Sequence, residues 1–167
     1  FFGFGSIPVE SPADTIAMIA AASGQLGERA LIAAGWSDFS NVPQFDHVKV
    51  VGAVNYATIF PACRAVVHHG GAGTTAAGLR AGVPTLILWM ADVQVVWGEA
   101  VKRLRVGTAR RFSTTTEESL VTDLRTILAP QCVTHAREIA AHMTPPAESV
   151  VLAADLVEES ARLHPVR

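Results

Sequence analysis

The sequence predicts a parallel α/β fold in which a sheet of about six strands is flanked by helices. Half of the 167 residues are hydrophobic and 17% are charged, which is the composition of a folded domain. Short, nearly continuous apolar runs alternate with helical stretches, as expected when both faces of a sheet are covered. Helix start and stop signals lie between the runs, so the units read as strand followed by helix.

The predicted strands are short and apolar, and most are rich in β-branched residues. They cover residues 1–4, 30–33, 48–51, 65–68, 85–88 and 108–110. No strand is predicted after the last of these, so the chain should end in helices alone.

Helix boundaries follow from capping residues, glycine and proline. Ser11 is a good N-cap because proline follows it, and the Gly82-Val83-Pro84 stretch is a stop signal. Thr115 and Glu118 have the spacing of a capping box. The predicted helices cover roughly residues 12–23, 74–81, 94–104, 116–128, 131–143 and 147–163.

Composition argues against several classes of protein. The net charge of −2 gives no electrostatic footprint for nucleic acid. No apolar run approaches the roughly 18 residues of a membrane span. Cys63 and Cys132 match no metal-binding spacing, and two such thiols fit a reducing compartment, so we expect a cytoplasmic protein. Because the chain opens inside an apolar run without methionine, we also expect it to be a fragment.

The most informative segment is the glycine-rich turn, residues 68–76, which reads HHGGAGTTA between a predicted strand and a predicted helix. Backbone N–H groups at such a helix start point outward, and the helix dipole adds positive charge there. Glycines let a phosphate approach the backbone, while Thr74, Thr75 and either His68 or His69 add side-chain donors. The turn therefore predicts a diphosphate cradle that lacks a lysine.

A dinucleotide site is a remote alternative. Gly71, Gly73 and Ala76 satisfy the G-x-G-x-x-A fingerprint, and Asp92 lies about twenty residues later, where a ribose-binding acid belongs. That fingerprint normally follows the first strand, whereas this turn follows the fourth, and the paired histidines are left unexplained. An NAD-dependent oxidoreductase is therefore the weaker interpretation.

Residues 66–85 resemble the donor-binding signature of glycosyltransferase family 1, especially the bacterial sterol-type and natural-product enzymes that use UDP- or TDP-sugars. The likeness extends from Phe4 to at least Arg110. It implies a GT-B architecture of two facing Rossmann-like domains, of which the C-terminal one binds the sugar nucleotide. Residues 1–167 would form that single donor-binding domain, with the N-terminal acceptor domain absent from this chain.

The resemblance also assigns site residues. Trp36, alternatively a core or edge aromatic, would line the nucleobase pocket with Ala53 and Val54. His69 is expected to face away from His68 and is left out of the site. The residues implied for the diphosphate are Gly5, Ser6, His68, Gly71, Gly73 and Thr74.

The sequence departs from this family where the sugar is held. Relatives commonly have an Asp-Gln pair followed by proline, ahead of a tryptophan that corresponds to Trp97. Counting back from Trp97 keeps Gln94 in register for binding sugar hydroxyls but puts Val93 at the aspartate position. Asp92 either reaches the sugar through a shifted backbone or serves as a helix N-cap.

The cradle would stabilise the charge that develops on the leaving diphosphate. No Asp-x-Asp occurs in the chain, so no metal or other cofactor is expected. The resemblance implies an inverting transfer of a hexose to a hydroxyl of a small-molecule or lipid acceptor, with the general base in the N-terminal domain. We therefore expect no catalytic residue here and no activity from the fragment alone. The scattered histidines are poor candidates for a base: His47, His135, His142 and His164.

Two further alternatives stay open: the donor-binding subunit of a split glycosyltransferase, and a nucleotide-binding module without transfer activity. The last predicted helix bears on this point, since in intact relatives it crosses onto the N-terminal domain. Its apolar face either makes that contact or packs on this domain's own core. The face comprises Leu152, Leu156, Val157 and Leu163.

Overall fold

The computed structural model describes residues 1–163, so His164 lies outside the described residues. Its strands are β1 (Phe2–Gly3), β2 (Ala30–Ala33), β3 (Val48–Val51), β4 (Val66–His68), β5 (Thr85–Trp89) and β6 (Gly107–Arg111). Its helices are α1 (Pro12–Gln25), α2 (Tyr56–Ile59), α3 (Ala72–Arg80), α4 (Val95–Arg103), α5 (Glu117–Leu128), α6 (Pro130–Ala141) and α7 (Pro146–Leu163). The predicted α/β class is confirmed, and all six predicted strands are present.

The six strands form one parallel sheet in the order β3-β2-β1-β4-β5-β6. From β1 the chain moves outward to β2 and β3, then returns to place β4 on the other side of β1. This doubly wound order creates a switch point between the carboxyl ends of β1 and β4, where ligands of such sheets bind. The register pairs Gly3 with His68, so the segments that follow these two residues lie side by side.

Both faces of the sheet are covered at its centre, which explains the apolar character of β2, β4 and β5. The edge strands β3 and β6 are only partly buried and carry charged residues. On one face α1 and α5 bury Ile16, Ile19, Leu120 and Ile127, each no more than 1% exposed. The other face holds a cluster around Phe60 and a second cluster in which α4 and α6 pack on β5 and β6. The glycine-rich turn is therefore supported by a continuous core.

The short helix α2 and the 3-10 turn Phe60–Ala62 were not predicted. The side chain of Asn55 caps α2 by accepting the N–H of Ala57 at 3.0 Å, and Tyr56 stacks on Phe60 with ring centroids 4.6 Å apart. Four helical residues are too few to show a helical period, so tertiary packing decides this element.

Two helix starts differ in detail from the prediction. Ser11 occupies the N-cap position of α1, but its hydroxyl makes no capping bond. The predicted box of Thr115 and Glu118 is wrong by one residue, since Thr116 and Ser119 exchange the two capping bonds of α5. The Thr115 hydroxyl instead donates to the carbonyl of Arg111 at 2.9 Å and closes the preceding turn.

The helix α7 projects from the domain. Every residue from 150 to 163 is exposed, so the alternative that this helix packs on the domain's own core is wrong. Arg80 ties its start to α3 by donating to the carbonyl of Thr144 at 3.0 Å and to the Ser149 hydroxyl. Among the described helices, none combines the length and apolar character needed to cross a membrane.

Candidate functional site

The candidate site lies at the switch point, where the turn after β1 meets the glycine-rich turn after β4. Gly5 has φ +62°, a left-handed conformation that side-chain-bearing residues rarely adopt, and it bends the chain directly after the strand. Ser6 follows it and is exposed at the rim. The turn at Gly5 thus lies next to the glycine-rich turn.

His69 occupies the space between these two turns. A Cβ added to Gly5 would lie 2.5 Å from Cε1 of His69, and one added to Gly71 would lie 2.8 Å from its Nε2. A side chain at either position would displace the imidazole ring, which fills the space between them. Burial lowers the pKa of His69, partly offset by a contact with the backbone of Gly3, so the ring is neutral near pH 7.

Sequence reasoning left His69 out of the site, although the ring contacts two of the predicted phosphate-binding glycines. The strand ends at His68, so alternation along β4 no longer fixes where the next side chain points. The sequence contained one indication of this position, the glycines Gly5 and Gly71 on separate turns. They contact the same ring only because β1 pairs with β4.

His68 is fully buried, with 0% of the residue exposed. Its Nδ1 accepts the backbone N–H of Gly70 at 3.0 Å, while its Nε2 is enclosed without a partner in the described chain. Burial, with a smaller contribution from His69, lowers the pKa of His68 to about 3. The ring therefore lies behind the turn, and direct contact with a diphosphate would require the turn to open.

The start of α3 supplies unpaired donors. Gly71 is the N-cap, without a side-chain capping bond, and its carbonyl accepts both the N–H and the hydroxyl of Thr75 at 2.9 Å each. The amides of residues 72–74 precede the first intrahelical bond, so they remain free for an anion. Apart from its chain neighbours and the backbone of its own helix, no described atom lies within 4 Å of a Cβ added to Gly73, and Thr74 is half-buried beside it.

The ends of β2 and β3 carry the predicted nucleobase residues. The backbone N–H of Trp36 donates to the carbonyl of Gly5 at 3.0 Å, and this bond joins the loop after β2 to the turn after β1. Trp36 is 75% exposed and is therefore no core residue. Ala53 is exposed, whereas Val54 is half-buried in the cluster around Phe60.

The predicted sugar-binding residues follow β5. Gln94 is buried, and its Oε1 accepts the N–H groups of Met90 and Ala91 at 2.8 and 3.1 Å, so its carbonyl braces this loop. The Asp92 side chain is 93% exposed and lies 3.8 Å from an Nη of Arg111. The reading of Asp92 as a helix N-cap is wrong, because Ala91 caps the one-turn helix Asp92–Gln94 and Gln94 precedes α4.

The chemistry of this arrangement is that of an anion site. Free backbone amides, the helix dipole and a neutral imidazole converge where two glycines keep the backbone accessible. Within the part of the chain that the structure describes, no three metal-ligating side chains come together. A diphosphate fits this set of donors.

A doubly wound domain with a glycine-rich turn at its switch point defines a class, the Rossmann-like nucleotide-binding domains. Residues 10–158 match the family described as "Erythromycin biosynthesis protein CIII-like, C-terminal domain", and the chain belongs to this family.

Relatives and solved structures agree with this assignment. A Mycobacterium tuberculosis protein named as an uncharacterized glycosyltransferase is 64% identical over 162 residues, 97% of this chain and 39% of that protein. A sterol 3-beta-glucosyltransferase of Arabidopsis thaliana is 43% identical over 108 residues, 64% of this chain and 17% of that protein. The structure of the glycotransferase of kitacinnamycin superimposes with a TM-score of 0.75 at 20% identity, covering 95% of this chain and 42% of the other. The chain thus spans about two fifths of the mycobacterial relative's length.

Proposed function

We propose that this domain binds the diphosphate of a UDP- or TDP-sugar for an inverting, metal-independent hexosyl transfer. The observation that carries the proposal is the convergence of Gly5, His69, Gly71 and the free amides of α3 at the switch point. We call these four elements the diphosphate cradle. The same turn follows β4 rather than β1, which argues against the nicotinamide alternative.

The cradle would act mainly on the leaving group. Negative charge grows on the diphosphate as the sugar departs, and donors fixed beforehand stabilise that charge without reorganising. His69 can donate one N–H while neutral, and a bound diphosphate would favour its protonated form. The cradle thereby supplies charge stabilisation without a metal ion.

The nucleobase and the sugar would lie on either side of the cradle. Exposed Trp36 offers a face for the base next to Ala53 and Val54, and its backbone bond to Gly5 couples the two subsites. Sugar hydroxyls would meet the free amide group of Gln94 and, if it leaves Arg111, the carboxylate of Asp92. Ser6, Gly73 and Thr74 also belong to the predicted diphosphate set. In this proposal His69 takes the contact that the sequence assigned to His68, because the ring of His68 is buried behind the turn.

The acceptor half of the enzyme would come from residues other than these. The chain covers 39% of its mycobacterial relative, which leaves room for an N-terminal acceptor domain with the general base. The likeness to the plant sterol glucosyltransferase favours a lipid hydroxyl as acceptor, and the likeness to the kitacinnamycin enzyme favours a natural product. Both cysteines are free, which fits a cytoplasmic location.

A non-catalytic nucleotide-binding module is supported by one observation. Of the two side chains expected to bind the sugar, Gln94 has its carbonyl bonded to the backbone, and Asp92 is exposed to solvent with only a 3.8 Å approach to Arg111. Hydrolysis or transfer of a UDP- or TDP-sugar by the intact protein would exclude this alternative.

Calorimetric titration with uridine and thymidine diphosphates in EDTA tests the proposal. We expect binding without metal and about tenfold weaker binding by Gly73→Ala, because the methyl group would occupy space that only a ligand needs. Unfolding free energy should stay unchanged or rise by up to about 1 kcal/mol, since alanine favours the helix.

The matched control is Gly24→Ala, also in a helix, whose added Cβ would lie 3.4 Å from the His47 ring. This site lies near the amino edge of the sheet, so affinity should not change. The proposal would be refuted if the protein bound neither uridine diphosphate nor thymidine diphosphate. It would also be refuted if Gly73→Ala bound the diphosphate as tightly as the wild type. Tight binding of NAD would favour the oxidoreductase instead.

A further inference from the structure

We infer that His68 is a positioning residue, which sets the shape of the diphosphate cradle by holding the amide of Gly70 and does not itself touch the ligand. This inference rests on the proposed function. Its basis is geometric: the ring is 0% exposed, and Nδ1 accepts the Gly70 N–H at 3.0 Å.

The bond fixes the sharpest bend of the glycine-rich turn. Gly70 is buried and has φ +92°, so the chain reverses direction there. A Cβ on Gly70 would lie 2.9 Å from Cγ2 of Ile87 and 3.1 Å from Cβ of Gln94, so the bend is wedged between β5 and the following turn. Gly71 can then cap α3 with the amides of residues 72–74 facing outward.

His68 determines which amide faces inward. Without an acceptor behind the turn, the buried Gly70 N–H would lose its partner or rotate toward the cradle. A buried donor without a partner is destabilising, because nothing replaces the hydrogen bond that it made to water. The imidazole removes this cost at Gly70 and holds the peptide in one orientation.

The other ring nitrogen shows that stability alone does not explain this histidine. Because Nδ1 accepts a bond, the proton of the neutral ring resides on Nε2, and that donor has no partner in the described chain. An aliphatic residue would remove the unpaired Nε2–H but leave the Gly70 N–H unpaired. With histidine the unpaired donor is Nε2–H, and with an aliphatic residue it is the Gly70 N–H. Histidine therefore does not reduce the number of unpaired donors, but it pairs the amide of Gly70.

The first experiment determines the tautomer of the His68 ring in the absence of ligand. Nitrogen-15 NMR of the histidine rings in the intact protein should show His68 as the neutral Nε2–H tautomer between pH 5 and 8. Hydrogen exchange should show a protected Gly70 amide. A protonated ring or the Nδ1–H tautomer would overturn the inference.

The second experiment compares two substitutions in the intact protein, with uridine and thymidine diphosphates as probes. His68→Asn keeps an acceptor, Oδ1, at the place of Nδ1, whereas His68→Leu fills the site without one. We expect the Leu variant to lose tenfold or more in diphosphate affinity and the Asn variant to stay within about threefold of wild type.

The control is Val66→Ala, which removes buried volume from the same strand and face without touching the acceptor. Val66→Ala should lower stability but leave diphosphate affinity unchanged. If His68 had only a structural role, His68→Leu would behave in the same way and also keep its affinity. Equal affinities of the Asn and Leu variants, with wild-type binding intact, overturn the positioning role only. Wild-type protein that binds neither diphosphate overturns the proposed function itself.

Discussion

At the residue scale, the two adjacent histidines have separate environments. His68 is enclosed behind the glycine-rich turn, while His69 lies between Gly5 and Gly71 at the front of it. Their ring centroids are 6.3 Å apart, and the ring planes are nearly perpendicular. One ring is bonded to the backbone of the turn, and the other packs between two glycines of separate turns.

The buried ring predicts a pH dependence of stability. The folded-state pKa of His68 is about 3, against 6.5 for the ordinary side chain, so below pH 6.5 the unfolded chain binds a proton that the folded chain does not. The contribution of this ring to stability should be complete above about pH 7 and should fall as the pH drops from 6.5 toward about 3. The slope from this residue is at most about 1.4 kcal/mol per pH unit.

Urea denaturation at several pH values measures this slope. In His68→Leu the chain should take up one proton fewer on unfolding in this pH range, so the slope should be smaller, whatever the effect of the substitution on stability at pH 7. An identical slope in the variant would mean that His68 titrates normally in the folded protein.

At the element scale, the start of α5 shows how one residue shifts a cap. Thr116 accepts the N–H of Ser119 at 3.2 Å, and Ser119 Oγ accepts the N–H of Thr116 at 2.9 Å. The helix begins at Glu117 because Thr115 is engaged by the turn before it. Leu120 and Ile127 are thereby directed into the core.

Thr116→Ala should lower the unfolding free energy by about 1 kcal/mol, because the first turn of α5 loses its side-chain acceptor. Chemical denaturation measures the change. Thr122→Ala is the control: its hydroxyl bonds only the Glu118 carbonyl within the helix, so its loss should be near neutral. A larger loss for Thr115→Ala than for Thr116→Ala would restore the cap that the sequence predicted.

At the scale of the whole molecule, α7 stands apart from the compact domain. Leu152 and Leu156 are 50% and 66% exposed, although both are apolar. A helix with such a face contributes little to the stability of this domain. In an intact transferase the same face would be available to the acceptor half.

The double variant Leu152→Glu with Leu156→Glu should change the unfolding free energy of this chain by less than about 1 kcal/mol, since surface substitutions rarely exceed about 0.5 kcal/mol each. By contrast, Leu120→Ala in the core should cost about 2–5 kcal/mol. Urea denaturation compares them, and a loss above 2 kcal/mol for the double variant would show that α7 packs on this domain.

Much of this protein follows from sequence alone, because the signals are local. Apolar runs of four or five residues mark strands covered on both faces, and the glycine-rich turn is readable because glycine, threonine and a helix start lie together in the chain. The residue types of the turn also sufficed to indicate the family, which the match of residues 10–158 confirms.

Other features depend on contacts between distant segments, and only the tertiary structure decided them. His69 joins the cradle because β1 pairs with β4 and brings Gly5 to its ring, 64 positions away in the chain. Asp92 lies near Arg111 because β5 and β6 are neighbours in the sheet. The contacts of Gln94, by contrast, are local, since Met90 and Ala91 lie only four and three residues before it. The sequence determined which segments form strands and turns, whereas the order of the strands in the sheet decided which side chains meet.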